Sequence, residues 1–288
     1  MFKKNNHNFL IIKNNKELDQ FIAKIKNKKK IFFDTEFERR STYKVIISII
    51  VIFDGTNIGI IDCLQKNINF KKIFKFLNKK KITLVIHSCR QDLEIFLPIV
   101  RKILFDVFDT QIAALFNGYT EPPSYKKLVQ DFCKISLDKA LQKEDWLKRP
   151  IDNERINYLI NDVYYLKIIF NKLNNLLVKN NKLKLFNKLI KKEIFKISHE
   201  DYPVIYKKKL GSNILKNKKF IKIINFRNKI AKKINLPKNW VFSDKEIIRN
   251  IKNEEISIIS KNLKKIEIIN LTKLILKFLT VETLIKII

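Results

Sequence analysis

The chain has 288 residues, a formal net charge of +32 at pH 7 and a 46% hydrophobic composition. This composition excludes a wholly disordered chain, and the length fits roughly two domains. The longest apolar run, at residues 45–53, is interrupted by Ser48 and is too short to cross a bilayer, so we expect no membrane segment.

The first 175 residues alternate short apolar runs with segments whose apolar residues recur at helical spacing. The runs predict strands at residues 10–12, 31–34, 45–53, 58–61, 82–86 and 105–108. The helical spacing predicts helices at residues 15–25, 70–78, from about 91, 110–117, 125–132, 136–140 and 153–173. Early hairpin strands followed by alternating strands and helices predict an α/β protein with a mixed β-sheet flanked by helices.

The second part of the chain has a different pattern. From about residue 174 strand patterns become rare, and helical patterns alternate with turns rich in Lys and Asn. Pro203, Gly211 and Pro237 punctuate this part. We therefore predict a sheet-containing domain at residues 1–200, with its core motifs at 31–170, and a small all-helical domain at 201–288.

Cysteine usage and the N-terminus bear on the compartment. Cys63, Cys89 and Cys133 are widely spaced and fit neither a disulfide framework nor a zinc site. The N-terminus is basic but lacks an apolar core with a small-residue cleavage site, so we find no export signal. These features predict a cytoplasmic protein.

The basic excess permits a nucleic-acid partner but does not establish one. Only eight of the 60 basic residues are Arg, and the chain is crowded with Lys, Asn, Ile and Phe, whose codons are rich in A and T. A base-biased genome would produce this drift whatever the function. We therefore attribute most of the excess to codon bias, although the charge would favour a polyanionic substrate.

Four carboxylates and one tyrosine fall at the spacings of a two-metal nuclease site. Asp34 and Glu36 are two apart on a predicted strand and so point to one face. Tyr158 and Asp162 are four apart on a predicted helix and share one face. Asp92 lies in the first turn of a helix that follows a strand. Phosphodiester hydrolysis uses two hard cations, and such cations prefer oxygen ligands.

Each of these residues also has a structural interpretation. A strand-end Asp34 could accept backbone hydrogen bonds in a turn, and Asp92 at a helix start suits the helix dipole. Tyr158 and Asp162 could be a packing tyrosine beside a solvated acid. The joint occurrence of all five residues favours the metal site.

This order and context resemble the DEDD superfamily of 3′-5′ exonucleases, whose four acids correspond here to Asp34, Glu36, Asp92 and Asp162. One branch has His five residues before the last Asp, and the other has Tyr four residues before it. Here Asn157 occupies the first position and Tyr158 the second, so the sequence is similar to the tyrosine branch.

The resemblance extends to the ribonuclease D family over roughly residues 10–175. It is carried by residues 33–37 with 41–43, and by 87–96, 108–114, 137–139 and 145–150. It implies a ribonuclease H-like mixed β-sheet flanked by helices, the 3′-5′ exonuclease fold. Residues 206–211 and 226–244 look like an HRDC domain, the helical module that follows this nuclease domain, and leave room for one such module.

The resemblance also implies cofactors and roles. Two divalent ions, Mg²⁺ or Mn²⁺, would lie about 4 Å apart. Asp34 would bridge both ions, and Glu36 and Asp162 would complete the site of the ion that activates the water. Asp92 would act at the second ion, largely through bound waters. Tyr158 would orient the attacking water rather than remove its proton, since an unperturbed tyrosine has a pKa of about 10.

Substrate contacts can be predicted more loosely. Phe37 follows the first acid pair and could stack on the terminal base, although a core position fits it equally well. Arg39, Arg40, Arg90 and Arg149 are candidate phosphate contacts because Arg is scarce in this chain, with a solvated surface charge as the alternative.

The predicted function is that of a 3′-5′ exoribonuclease that releases nucleoside 5′-monophosphates and acts in tRNA 3′ maturation. By resemblance its partners would be tRNA precursors and other structured RNAs with 3′ extensions, and we expect a monomer. Two alternatives remain open, a DNA 3′-5′ exonuclease and a catalytically inactive RNA-binding scaffold on the same fold. All five motif residues are intact, which argues against the scaffold.

Overall fold

The computed structural model describes residues 8–79, 81–137, 144–199, 206 and 209–252. The chain divides into two compact units. The first comprises Met1–Glu38 and Ile47–His199, and the second comprises Arg39–Ile46 and Glu200–Ile288, each as far as it is described. The short segment Arg39–Ile46 therefore belongs to the second unit although it lies early in the sequence.

The first unit is built on a mixed six-stranded sheet in the order β1-β4-β3-β2-β5-β6. The strands are β1 (Phe9–Ile12), β2 (Lys30–Glu38), β3 (Ile46–Phe53), β4 (Ile58–Asp62), β5 (Thr83–Ile86) and β6 (Asp106–Asp109). The β3–β4 pair is antiparallel, whereas β1–β4, β2–β5 and β5–β6 are parallel. The turn between β3 and β4 contains Gly55 with a φ of 94°, a conformation that glycine adopts without strain.

Helices flank this sheet. They are α1 (Asn15–Ile25), α2 (Lys71–Lys79), α3 (Arg90–Val100), α4 (Thr110–Phe116), α5 (Tyr125–Cys133), α6 (Asn153–Lys179) and α7 (Leu183–His199). Together with the strands, they confirm the predicted mixed sheet flanked by helices. Within the described residues, no helix is long and apolar enough to span a membrane.

The alternation of side chains along β2 divides the core into two layers. Phe32 packs against Phe170 of α6, with ring centroids 6.1 Å apart. Its neighbour Phe33 points the other way and packs against Phe96 of α3, with centroids 5.2 Å apart. Residues 34 and 36 therefore share the α6 side with Phe32, and residue 35 shares the α3 side with Phe33.

One predicted strand extends beyond its apolar run, and one predicted helix differs from the structure. The strand predicted to start at residues 31–34 continues as β2 to Glu38, so both acids of the first motif lie on this strand, as predicted. The predicted helix at 136–140 is not present at Ser136 and Leu137, and residues 138–140 lie outside the described part of the chain. Lys134 ends α5 in the left-handed conformation, and the chain after it is not helical.

The described part of the second unit is helical outside Arg39–Ile46. It contains a 3₁₀ turn (Ser212–Lys216), α8 (Lys218–Ile234), α9 (Lys238–Val241) and α10 (Asp244–Lys252). Arg227 of α8 is 1% exposed and donates to Asp244 at 2.7 Å, which compensates its buried charge. Within this unit, Asn235 accepts hydrogen bonds from the backbone N–H groups of Tyr43 and Lys44, at 3.2 and 3.3 Å.

Candidate active site

Strand β2 supplies two acids on one face of the sheet. Its parallel neighbour β5 ends at Ile86, and Phe32 pairs with Val85 near the end of this ladder. Asp34 and Glu36 therefore lie beyond the end of β5, at the carboxyl end of the parallel strands, where α/β sheets expose their ligand sites. Both carboxylates point to the side of α6.

Helix α6 brings a third acid to the same place. It begins after Asp152, whose side chain accepts a 2.8 Å hydrogen bond from the backbone N–H of Arg155. One ligand oxygen each from Asp34, Glu36 and Asp162 lies within 4.8 Å of the others. The Tyr158 hydroxyl, one helical turn earlier, donates a hydrogen bond to Asp162.

Asp92 approaches the site from the other layer. It lies in the first turn of α3 and is only 6% exposed. Its carboxylate accepts a 2.6 Å hydrogen bond from the hydroxyl of Thr35, which points to the α3 side of β2. Thr35, which lies between Asp34 and Glu36, thus links Asp92 to the strand that carries the first two acids.

The turn before α3 is fixed by a second buried carboxylate. Asp109, at the end of β6, caps α4 by accepting from the backbone N–H groups of residues 111 and 112. The same carboxylate accepts from the backbone N–H groups of Ser88 and Cys89, at 3.2 and 2.8 Å. Asp109 therefore both caps α4 and holds the turn that leads into Asp92.

Burial raises the pKa values of all four acids, and repulsion between charges adds to this for Glu36, Asp92 and Asp162. Desolvation raises the pKa of Asp34 to about 7, against a hydrogen bond from the backbone of Thr35. Desolvation also raises the pKa of Glu36 well above its usual range, and the charges of Asp34, Asp162 and Asp92 add to this effect. The pKa values of Asp92 and Asp162 are raised by desolvation first and then by the charge of Asp34. Asp34 and Glu36 thus each interact with all three other acids of the set.

Two tyrosines beside these acids stay protonated. Burial, followed by the charge of Asp162, raises the pKa of Tyr158 well above its ordinary value. Tyr125 is affected in the same order by burial and Asp162, and its hydroxyl donates to the backbone carbonyl of Asn161 at 2.9 Å. Tyr125 therefore contacts α6 directly beside Asp162. Neither hydroxyl can act as a base at neutral pH.

The donor set fits divalent cations. Asp34, Glu36 and Asp162 offer oxygen ligands only, which suits Mg²⁺ or Mn²⁺ better than zinc. Three carboxylates within one small volume repel each other, and this repulsion contributes to the raised pKa values of Glu36 and Asp162. A cation between the carboxylates would offset this repulsion. The acidic cluster is therefore a candidate metal centre.

The Arg149 side chain is held within the fold by hydrogen bonds to neighbouring residues. Its guanidinium donates to both carboxylate oxygens of Asp62, at 2.9 and 2.7 Å. It also donates to the hydroxyl of Ser48 at 3.0 Å and to the backbone carbonyl of Trp146 at 2.8 Å. These bonds use all three guanidinium nitrogens and hold the side chain within the fold, and a phosphate contact by Arg149 stays a prediction.

The remaining predicted contacts lie near the ends of the motif elements. Phe37 is half-buried and follows Glu36 in β2. Arg90 is exposed at the start of α3 and pairs with Glu94 at 3.3 Å. Arg39 and Arg40 are exposed and belong to the second unit.

Sequence reasoning assigned no site role to four residues that contact the five motif positions or their supports. Thr35 lies inside the first motif, but a threonine between two acids forms no sequence pattern that indicates a role in the site. The order in sequence gives no indication that Tyr125 contacts α6 beside Asp162. Trp146 packs against the ring of Tyr158, with centroids 5.5 Å apart. Asp109 directly precedes a predicted helix, and nothing in the sequence connects it to the turn before Asp92.

The part of the sequence that forms the sheet and the acidic site matches a known protein family. A model of the 3′-5′ exonuclease family matches residues 9–178, more than half of the 288-residue chain. All five motif residues lie in this range. The chain therefore belongs to the 3′-5′ exonuclease family.

Within this class, the chain is similar to ribonucleases D. It is 30% identical to the ribonuclease D of Haemophilus influenzae over 171 residues, which cover 59% of this chain and 43% of that protein. It is 27% identical to the ribonuclease D of a Jannaschia species over 246 residues, which cover 81% of this chain and 62% of that protein. The matches thus span 43% and 62% of the length of these two relatives.

A solved structure supports the same fold. The crystal structure of Escherichia coli RNase D, an exoribonuclease involved in structured RNA processing, aligns with a TM-score of 0.74. The alignment covers 95% of this chain and 76% of that one, at 22% identity. This likeness confirms the predicted 3′-5′ exonuclease fold.

Proposed function

We propose that this chain is a 3′-5′ exoribonuclease that shortens RNA from its 3′ end and releases nucleoside 5′-monophosphates. The observation that carries the proposal is the convergence of Asp34, Glu36 and Asp162 within 4.8 Å, beside Tyr158, in a chain of the 3′-5′ exonuclease family. The similarity to ribonucleases D favours RNA over DNA as the substrate.

Two divalent ions, Mg²⁺ or Mn²⁺, would be held by the four acids. By resemblance to the DEDD exonucleases, Asp34 would contribute to holding both ions, and its charge acts on the other three carboxyl groups. Glu36 and Asp162 would complete one ion site, and Asp92 would serve the other from the α3 side. When bound, the two ions lower the pKa of a water molecule and stabilise the charge on the leaving 3′-oxygen.

Tyr158 would orient the attacking water. Its raised pKa keeps the hydroxyl protonated, so it acts as a hydrogen-bonding group rather than as a base. Its hydrogen bond to Asp162 directs the hydroxyl toward the acidic cluster. Asp162 thus has two functions in this proposal, as a cation ligand and as the partner that orients Tyr158.

The proposal also covers the natural substrates and the residues that would contact them. We infer that structured RNAs with 3′ extensions, and tRNA precursors among them, are the natural substrates, in keeping with the ribonuclease D relatives. Phe37 would stack on the terminal base, and Arg39, Arg40 and Arg90 would contact phosphates. The second unit would be an HRDC-like module, which the helices α8 and α10 support. The cytoplasmic location and the monomeric state stay predictions.

The test is a time course on a 3′-extended tRNA labelled at its 5′ end, with Mg²⁺ and with EDTA. The wild type is compared with Asp34→Asn and with Asp19→Asn, a matched control at an exposed ion pair with Lys72. We expect a ladder that shortens from the 3′ end with Mg²⁺, is absent with EDTA and with Asp34→Asn, and persists with Asp19→Asn. RNA binding without shortening would contradict the proposal, and a single-stranded DNA lane would reveal a DNA enzyme.

A further inference from the structure

Trp146 makes a close aromatic contact with the tyrosine of the site. The two ring centroids are 5.5 Å apart and the ring planes are inclined at 41°, a tilted arrangement within the favourable range for aromatic pairs. Trp146 is 5% exposed. The Tyr158 ring thus has a large, buried neighbour on one side.

The backbone of Trp146 is fixed to the sheet. Its carbonyl accepts hydrogen bonds from the hydroxyl of Ser48 on β3 and from Nη1 of Arg149. The Arg149 guanidinium is itself held by both carboxylate oxygens of Asp62 on β4. Because bidentate Arg–carboxylate pairs have a defined geometry, this network determines where the indole lies.

The indole is also fixed from α6. The Arg155 guanidinium lies 6.0 Å from the centroid of the Trp146 ring, and Arg155 is 5% exposed. Arg155 precedes Tyr158 by three residues on α6 and so lies one helical turn away, on a similar face. Trp146 therefore contacts α6 at two successive turns.

The polar atom of the indole does not explain its burial. In the part of the chain that the structure describes, Nε1 of Trp146 is buried and has no hydrogen-bond partner. A buried donor without a partner is unfavourable, so the contribution of this side chain lies in its ring. The aromatic face is what touches Tyr158 and Arg155.

We propose that Trp146 is a positioning residue for Tyr158, held in place by the Ser48–Asp62–Arg149 network. The proposal rests on the function proposed above for this site. Trp146 restricts the orientation of the Tyr158 ring, and the hydroxyl of Tyr158 therefore stays directed at Asp162 and at the water that it orients. The role needs an aromatic ring and not the indole N–H.

The kinetic test is a double-mutant cycle on 3′-extended RNA at saturating Mg²⁺. We expect Trp146→Leu to lower kcat by up to about a hundredfold, since misplacing a catalytic group by about 1 Å can cost this much, with KM little changed. Trp146→Phe should retain most of kcat. In a Tyr158→Phe background, Trp146→Leu should change kcat by less than about twofold, the usual error of additivity. Equal losses in both backgrounds, or a loss confined to thermal stability, would overturn the proposal.

A measurement without catalysis separates this proposal from the proposed function. In protein labelled with 3-fluorotyrosine, the Tyr158 signal in ¹⁹F NMR is identified by its loss in Tyr158→Phe. We expect Trp146→Leu to broaden or split this signal, because the ring then adopts more than one orientation. Phe186→Leu, a control at a buried ring that packs against Phe108 and Phe116, should leave it single and sharp. A single sharp signal in Trp146→Leu would contradict the positioning role even if no RNA were cut.

Discussion

The hydroxyl of Thr35 donates a 2.6 Å hydrogen bond to the carboxylate of Asp92, and both side chains are buried. This bond joins the strand that carries Asp34 and Glu36 to the helix that carries the third motif acid. Turning the Asp92 carboxylate away from Thr35 would leave a buried acceptor without a donor, which is unfavourable. The hydrogen bond therefore restricts this carboxylate to one orientation.

Replacing Thr35 by valine keeps the shape of the side chain and removes its donor. We expect Thr35→Val to weaken Mn²⁺ binding by about 10- to 100-fold, as loss of a hydrogen bond to a metal ligand commonly does. Thr35→Ser retains the hydroxyl and should bind Mn²⁺ nearly as the wild type does. Isothermal titration calorimetry at fixed pH measures both affinities. Equal affinities for Thr35→Val and wild type would show that Asp92 needs no such support.

Removal of the Tyr158 hydroxyl should affect turnover and leave cation binding in place. We expect Tyr158→Phe to lower kcat by at least about a hundredfold, the lower range for a group that acts on the transferred proton or its water. Steady-state kinetics on RNA and Mn²⁺ titration provide the two readouts. Tyr164→Phe is the matched control, because Tyr164 lies on the same helix and packs against Phe53 instead. A kcat close to that of the wild type would remove Tyr158 from the proposed site.

The acidic cluster should make the metal-free protein less stable as pH rises. Folding raises the pKa of Asp34 from 3.8 to about 7. A group with a raised pKa in the folded state stabilises the fold below its unfolded pKa, and this contribution is lost as pH rises through the folded value. In EDTA we therefore expect a lower Tm at about pH 8 than at about pH 5, and Mg²⁺ should raise Tm more at the higher pH.

The variant Asp34→Asn isolates this effect from the large basic charge of the chain. It should have a smaller difference in Tm between the two pH values and a smaller increase with Mg²⁺. Differential scanning fluorimetry with and without Mg²⁺ measures both quantities. If wild type and Asp34→Asn had the same pH dependence, repulsion in the cluster would not limit the stability of the metal-free protein.

Replacing Arg149 by alanine distinguishes a structural role of this residue from a substrate-binding role. Loss of one partner of a buried ion pair costs about 3–5 kcal/mol, and we expect Arg149→Ala to fall near the lower end because its side chain is 22% exposed. Urea unfolding measures the loss, with Lys127→Ala at an exposed pair with Asp131 as the control. Unchanged stability, together with a higher KM and a weaker dependence on salt, would instead make Arg149 a phosphate contact.

Local periodicity is sufficient to predict part of the site. The spacing of two on a strand places Asp34 and Glu36 on one face, and the spacing of four on a helix does the same for Tyr158 and Asp162. Both pairs depend on backbone geometry alone. The strands and helices of the first unit could be predicted for the same reason, with differences mainly at their ends.

The supporting contacts could not be predicted because they depend on tertiary structure. Thr35 meets Asp92 only because β2 pairs with β5 and α3 covers the opposite layer from α6. Trp146 is held beside Tyr158 by Arg149, which donates to the Trp146 carbonyl and pairs with Asp62. Arg149 and Asp62 are 87 residues apart in sequence. No periodicity indicates such a pair. The same ion pair gives Arg149 a structural partner that the scarcity of Arg in the sequence does not indicate.

The membership of Arg39–Ile46 in the second unit has a consequence for dissecting this protein. The chain passes from one unit to the other after Glu38, returns at Ile47 and passes again after His199, so no single cleavage separates the two. A chain truncated at residue 199 would retain Tyr43 and Lys44 but lose Asn235, the residue that accepts their backbone hydrogen bonds. Those backbone groups, only a few residues beyond Glu36, would then have to find water or a new partner. Deleting the helical unit therefore also alters the chain that follows strand β2.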